Sequence, residues 1–352
     1  MANIVHVVGT GTIGEPMIGL LEDDRDAFGI DEVTFHKRTP LREERAKVAD
    51  LIRRGASLAV DPDRADGFRE LGLEPAFEAD EAIERASVVI DCTPAGNANK
   101  ARSYEGSAGP LGFLAQGSEF GFGKMYARGI NDEALVRGED RFVHVVSCNT
   151  HNIAVLIKSL AMDPDGTSHL ESGRFLCMRR ANDISQDGSF VPSPTVGTHG
   201  DEQFGTHHAR DAHGLFATLG YDLPVFSSAI KINTQYMHAL HFSLTLDQDM
   251  TVDEAIDRLR ANTRVALTYK RSANQIFSFG RDHGHFGRIL SQTVIPFETL
   301  AVRGGNELVG FCFTPQDGNA LLSSLAATLW YLYPGGFEDR IDVIRPYLFR
   351  EV

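Results

Sequence analysis

Among the residues whose type and setting allow chemistry, Cys148 stands first. It ends the apolar run Val143-His144-Val145-Val146, after Ser147, and Asn149-Thr150-His151 lead on into Ile153–Leu160, which reads as a helix. A strand that delivers a cysteine to a helix start exposes the thiol to free N–H groups and to partial positive charge. Both favour the thiolate, which is the nucleophile. The plainer alternative is a small buried hydrophobe. That reading fits Cys92, Cys177 and Cys312, each set in an apolar run. The four cysteines are far apart and form no Cys-x-x-Cys pair, so neither a disulfide framework nor a zinc ribbon is expected.

Other candidates lie further on. Arg179 and Arg180 end an alternating run from Arg174, so one of the two should face a ligand, and Arg179 is the choice here. His207 and His208 stand together, with His213, His283 and His285 elsewhere; no Cys or carboxylate falls at ligand spacing around them, so no metal is expected. His238 and His241 lie in a period-two stretch, where a packed strand histidine is the commoner meaning.

The elements that would position these residues begin with a cofactor fold. Ile4–Val8 is a short apolar strand, followed by Gly9-Thr10-Gly11-Thr12-Ile13-Gly14 and a helix through Met17–Leu21. This is the dinucleotide fingerprint in its required context of strand, turn and helix. Gly9 permits the tight turn, Gly11 lets a pyrophosphate approach the backbone, and Gly14 allows close helix–strand packing. The next strand, Glu32–His36, ends in Lys37-Arg38-Thr39, where an NAD site would carry an acid for the ribose 2′-hydroxyl. Lys37 and Arg38 could instead hold a 2′-phosphate, so NADP is favoured over NAD; a solvated basic turn is the alternative. The run 86–91 is a buried parallel strand. Its polar end puts Thr93, Pro94 and Gly96 at the carboxyl edge, beside the expected nicotinamide ribose. Helices over 41–54 and 78–85 and strands over 114–119 and 142–146 complete a doubly wound sheet.

Beyond Leu160 the pattern changes. Asn182–Gly200 is loop-like in composition. The run 229–246 alternates at period two, as in long antiparallel strands; Thr251-Val252-Asp253-Glu254 is a capping box before a helix through Leu259; and Asn319–Leu332 is an apolar helix containing Trp330. The fold class expected is an α/β Rossmann domain followed by an α+β domain with a mainly antiparallel sheet. At 352 residues, two domains are the prior. The net charge of −14 argues against a nucleic-acid groove. No segment reaches the roughly 20 apolar residues of a membrane span, and no secretory leader is visible, so a cytoplasmic protein is expected.

Several blocks together resemble the archaeal (type II) glyceraldehyde-3-phosphate dehydrogenases: 9–14, 89–96, Gln116-Gly117-Ser118-Glu119, 145–150, Arg179-Arg180, His207-His208 and Met237-His238, in the family's order and at similar spacing. The resemblance implies an NADP- or NAD-binding domain over 1–147, completed by a C-terminal helix at about 316–352, and a catalytic domain over 148–315. It implies Gln116 and Gly117 at the cofactor, with Thr12 and Ile13 in the turn. It makes Cys148 the nucleophile and His238 the general base, with Asn149, Thr150, His151, Arg179, His207 and His208 around the substrate and phosphate. The activity implied is phosphorylating oxidation of glyceraldehyde 3-phosphate through a thiohemiacetal and a thioester, with inorganic phosphate as acceptor, in a homotetramer or homodimer. The chain departs from the family at His151-Asn152, where the family has a hydroxyl residue and a glycine, and at Ala209. His151 could assist phosphate binding or reshape the pocket for another aldehyde. Two other readings stay open: a related semialdehyde or acyl-CoA/acyl-phosphate reductase, and a non-catalytic nucleotide-binding regulator.

Overall fold

A computed structural model describes residues 2–184, 188, 190–315 and 317–352. They form two compact units: 1–124, 135–145 and 323–345 make the first, and 125–134, 146–322 and 346–352 the second.

The first sheet is formed by strands β1 (Ile4–Val8), β2 (Glu32–His36), β3 (Ser57–Val60), β4 (Phe77–Glu78), β5 (Val88–Asp91), β6 (Gly112–Gly117), β7 (Lys124–Tyr126) and β8 (Phe142–Val146), of which β1 to β6 lie wholly in the first unit. Their order is β4-β3-β2-β1-β5-β6-β8-β7, and the pairs from β4 to β6 are all parallel. This is the doubly wound sheet expected, with the strand order reversing beside β1. Val5, Val7, Val33, Phe35, Val88, Val89 and Ile90 are fully covered, as parallel strands flanked by helices require. Beside them, the rings of Tyr104, Phe113 and Phe142 stack at 4.8 and 5.2 Å.

The second unit carries β9 (Leu170–Arg179), β10 (Thr195–Val196), β11 (Val225–Lys231), β12 (Ala239–Leu246), β13 (Val265–Thr268), β14 (Thr293–Pro296), β15 (Ala301–Arg303) and β16 (Glu307–Phe313). The order is β10-β11-β9-β12-β16-β14-β13, with β15 on β16. The sheet is mixed: most of its pairings are antiparallel, as expected, but β11 runs parallel to β9 and β13 parallel to β14. The stretch 229–246 is correspondingly two strands, not one continuous alternation. β11 and β12 flank β9 on opposite sides, so the chain must cross the end of β9 between them. That crossing is pinned by Ile232 N–H to Arg179 O (2.9 Å) and Ala181 N–H to Thr234 O (2.8 Å).

One face of this sheet is covered by apolar helices. The helix Cys148–Leu160 buries Ile153, Ala154, Val155, Leu156 and Ile157 against Phe175, Cys177, Phe242 and Leu244. The helix His207–Ala217 adds Ala209, Ala212, Leu215 and Phe216, a helical spacing that the sequence carried but that composition alone left as an apolar stretch. Thr251 and Glu254 form the expected capping box on Val252–Ala261. Among the described residues no helix is long and apolar enough to cross a membrane.

Candidate active site

In the first unit the glycine turn has the geometry a dinucleotide needs. Gly9 has φ +93°, and a Cβ there would lie 2.9 Å from Thr93 Cγ2. A Cβ on Gly14 would lie 2.0 Å from Gly9 O, whereas one on Gly11 would meet nothing within 4 Å. The turn is therefore closed behind and open in front, which fits a pyrophosphate laid against the helix Gly14–Asp23. Thr12 and Ile13 are half-buried at the helix entry.

An adjoining cavity of about 560 Å³ is lined by Gly9, His36, Lys37, Arg38, Thr93 and Pro94, and also by Arg102. Lys37 is ion-paired with Glu44, while Arg38 is exposed. Thr93 is held by Asp91 at the buried end of β5, which accepts from Thr93 N and Oγ1 at 2.8 and 2.6 Å, from Tyr104 Oη at 2.7 Å and from Asn99 Nδ2 at 2.7 Å. Gly96, Gln116 and Gly117 do not line this cavity. Gly96 packs against Ala115, Gln116 Nε2 donates to Ser324 Oγ at 2.6 Å, and Gly117 O accepts from His144 Nε2 at 2.8 Å. His36 and Arg102 escaped the sequence reading. His36 at a strand end had a visible signal; Arg102, in the helical segment Lys100–Tyr104 after β5, had none.

In the second unit Cys148 opens its helix directly, with Ser147 as N-cap: Thr150 N–H donates to Ser147 Oγ at 3.4 Å. Cys148 is half-buried. The expected thiolate bias is outweighed, because burial and then the charge of Asp317 push the thiol up to about 12, against the pull of Arg180. Asn149, Thr150, His151 and Asn152 are all buried. His151 is a helix brace rather than a surface group: its Nδ1 bonds to Ser147 O at 3.0 Å. Asn152 Nδ2 donates to Thr314 Oγ1 at 2.5 Å.

The two arginines part company at the end of β9. Arg179 is exposed and lines a cavity of about 370 Å³ with Thr198, His207, His208 and Arg210. Arg180 is buried, and its guanidinium meets Asp183 at 2.9 Å and Asp317 at 3.4 Å. The rings of His207 and His208 lie 3.9 Å apart. Burial lowers both histidines, His208 strongly, so the positive charge of this cavity resides on Arg179 and Arg210. Asn149 Nδ2 donates to His208 Nε2 at 3.3 Å, tying the residue after the cysteine to the cavity wall. His208 Nδ1 then donates to Thr206 Oγ1 at 3.0 Å.

His238 is half-buried next to Arg180, whose main-chain N–H donates to His238 Nδ1 at 2.8 Å. Burial first, then Arg180 and Arg179, lower His238 to about 3. Its ring is neutral at physiological pH, with the proton on Nε2. Asp317 and Asn319 also escaped the sequence reading: they stand at the start of the helix Gly318–Leu332, which its apolar pattern marked as core.

No family model matches the chain. Its relatives include the glyceraldehyde-3-phosphate dehydrogenase of Pyrobaculum neutrophilum, 26% identical over 317 residues and 86% and 85% of the two chains. That of Methanobrevibacter smithii is 25% identical over 335 residues, 92% of both chains. That of Methanobacterium bryantii is 28% identical over 277 residues, 75% and 73% of the two chains. The resemblance carried by the sequence blocks thus extends over most of the chain, and it is a resemblance to archaeal glyceraldehyde-3-phosphate dehydrogenases.

Proposed function

We propose that this chain is a phosphorylating aldehyde dehydrogenase that oxidises glyceraldehyde 3-phosphate, or reduces the corresponding acyl phosphate, with NADP favoured over NAD. The observation that carries the reading is the 3.3 Å bond from Asn149 to His208. It joins the start of the cysteine helix to a cavity charged by Arg179, so one substrate can put its aldehyde carbon at Cys148 and its phosphate against a guanidinium.

A nicotinamide cofactor would be held by Gly9, Gly11, Gly14, Lys37 and Arg38 and would supply the acceptor for a hydride. The chain's own residues do the rest. Cys148 loses its proton to solvent as its sulfur attacks the carbonyl. His238, protonated at Nε2, donates to the oxygen that becomes anionic. This differs from the general base that the resemblance implies: when the adduct is held as an alkoxide, no hydroxyl proton remains to be removed. The thioester left after oxidation is opened by an oxygen of inorganic phosphate, and Cys148 departs as the leaving group. Arg179, with Arg210 beside it, binds the substrate phosphate. A homotetramer or homodimer is part of the same reading, by the resemblance.

The test is a panel of phosphorylated and plain aldehydes with each cofactor, with and without inorganic phosphate, followed by absorbance of the reduced nicotinamide. Phosphate-dependent reduction with glyceraldehyde 3-phosphate is expected. A rate only with an unphosphorylated aldehyde overturns the substrate, and full activity in Cys148→Ser overturns the mechanism.

A further inference from the structure

A closed circuit of bonds surrounds Cys148, and its least expected member is Asp317. Asn319 Nδ2 donates to Cys148 O at 3.0 Å. Two residues earlier, the Asp317 carboxylate meets Arg180 Nη2 at 3.4 Å. The Arg180 main-chain N–H reaches His238 Nδ1 at 2.8 Å, and His238 O accepts from Thr314 N at 3.0 Å. Thr314 Oγ1 donates to Asn149 Oδ1 at 3.3 Å, which returns the circuit to the cysteine helix.

Asp317 directly precedes the helix Gly318–Leu332, where an aspartate is a favoured cap, yet its carboxylate meets Arg180. It sits at φ +67°, a left-handed conformation that costs a side-chain residue energy and that clusters at functional sites. It is buried, where an ionised carboxyl is expensive unless paired. The next residue is fixed as glycine, since a Cβ on Gly318 would lie 1.9 Å from Ile289 O. Arg180 is itself buried, and its Nε has no hydrogen-bond partner among the described residues, so its placement rests on Asp183 and Asp317.

We infer that Asp317 is a positioning residue for the Cys148 chemistry: its carboxylate holds the Arg180 side chain, and with it the backbone that carries His238, in register with the start of the cysteine helix. The inference rests on the reading of Cys148 as nucleophile. The charged and titratable groups acting on Cys148 are Asp317, Asp183 and Arg180, with Cys177 beneath it; Arg288 acts in turn on Asp317. The two members of the ion pair act on the thiol with opposite sign. Asp317 opposes its ionisation and Arg180 favours it.

The experiment is the rate of Cys148 alkylation by iodoacetamide between pH 7 and pH 10, read by peptide mass spectrometry on the full chain with no aldehyde or cofactor present. Asp317→Asn keeps the shape and suits the left-handed backbone. It should speed labelling about tenfold, because the charge that opposes ionisation of the thiol is gone. Arg180→Gln should slow it, and Asp317→Glu should keep the wild-type profile. A disrupted fold would move Asp317→Asn and Arg180→Gln in the same direction, and that outcome overturns the inference. So does an unchanged rate in Asp317→Asn, or no labelling of Cys148 in any variant. The aldehyde panel fails or succeeds separately, because labelling needs neither substrate nor cofactor.

Discussion

The Arg180 main-chain N–H occupies the Nδ1 lone pair of His238 at 2.8 Å, so the neutral imidazole carries its proton on Nε2. Burial, reinforced by Arg180 and Arg179, holds the ring at about 3, far below physiological pH. A neutral donor leaves a distinct kinetic trace. The acid limb of kcat/KM between pH 5 and pH 8 should show no histidine-like midpoint from this residue. His238→Gln, which keeps an N–H at nearly the same reach, should retain more activity than His238→Ala, whose loss should be on the order of 10²–10³ in kcat. A midpoint near 6.5 that vanishes in His238→Gln would restore the general base.

Arg179 and Arg180 are neighbours in sequence with separate surroundings. Arg179 lines the cavity with His207 and His208, so on the proposed reading Arg179→Ala should act on binding. KM for the phosphorylated aldehyde should rise by roughly 10- to 100-fold, from loss of a charge-assisted contact worth about 1.5–3 kcal/mol. Steady-state kinetics with an unphosphorylated aldehyde should show almost no change. An equal loss with both substrates would remove Arg179 from the phosphate site.

Which of the two arginines does this work could not be read from alternation. Their separation depends on how the chain leaves β9, and that is set by the crossing 232–238, which lies far along the chain. Features governed by local sterics were legible: the Gly9–Gly14 turn, the capping box of Thr251 and Glu254, and the buried strand of Val88, Val89 and Ile90. Strand direction was not, because period two is the same whether β11 runs parallel or antiparallel to β9. The helix His207–Ala217 was legible in principle, through Ala209, Ala212, Leu215 and Phe216, but its paired histidines drew the reading towards ligands. At His151 a departure in sequence beside the nucleophile pointed to the substrate; that its Nδ1 also bonds back to Ser147 O had no sequence signal. Asp317 had no motif to mark it, since its meaning lies in partners more than a hundred residues away.

Cofactor choice should turn on Arg38. Lys37 is already paired with Glu44, whereas Arg38 is exposed at the rim of the cofactor cavity. Arg38→Ala should raise KM for NADP about tenfold and leave KM for NAD nearly unchanged, the expected loss of one exposed phosphate contact. If both cofactors weaken equally, Arg38 does not contact the 2′-phosphate.

A last prediction concerns stability. His169 lies between two aspartates, with Nδ1 2.8 Å from Asp247 Oδ1 and Nε2 3.1 Å from Asp163 Oδ2, and Asp163 also meets Arg258 at 2.9 Å. The hydrogen bonds to Asp163 and then Asp247 raise the imidazole above its ordinary value of 6.5. A group that binds its proton more tightly when folded stabilises the fold while it is protonated. The stabilisation is therefore complete below about pH 6.5, the value in the unfolded chain, and is lost as pH rises through the raised folded value. His169→Gln keeps hydrogen bonding but not the charge. The gap in Tm between wild type and this variant should be widest near pH 5.5 and should close by pH 9. High salt should shrink it, because the pairs are partly exposed. A gap that is constant across this range, measured by thermal unfolding with circular dichroism, would mean that His169 contributes through packing and not through its charge.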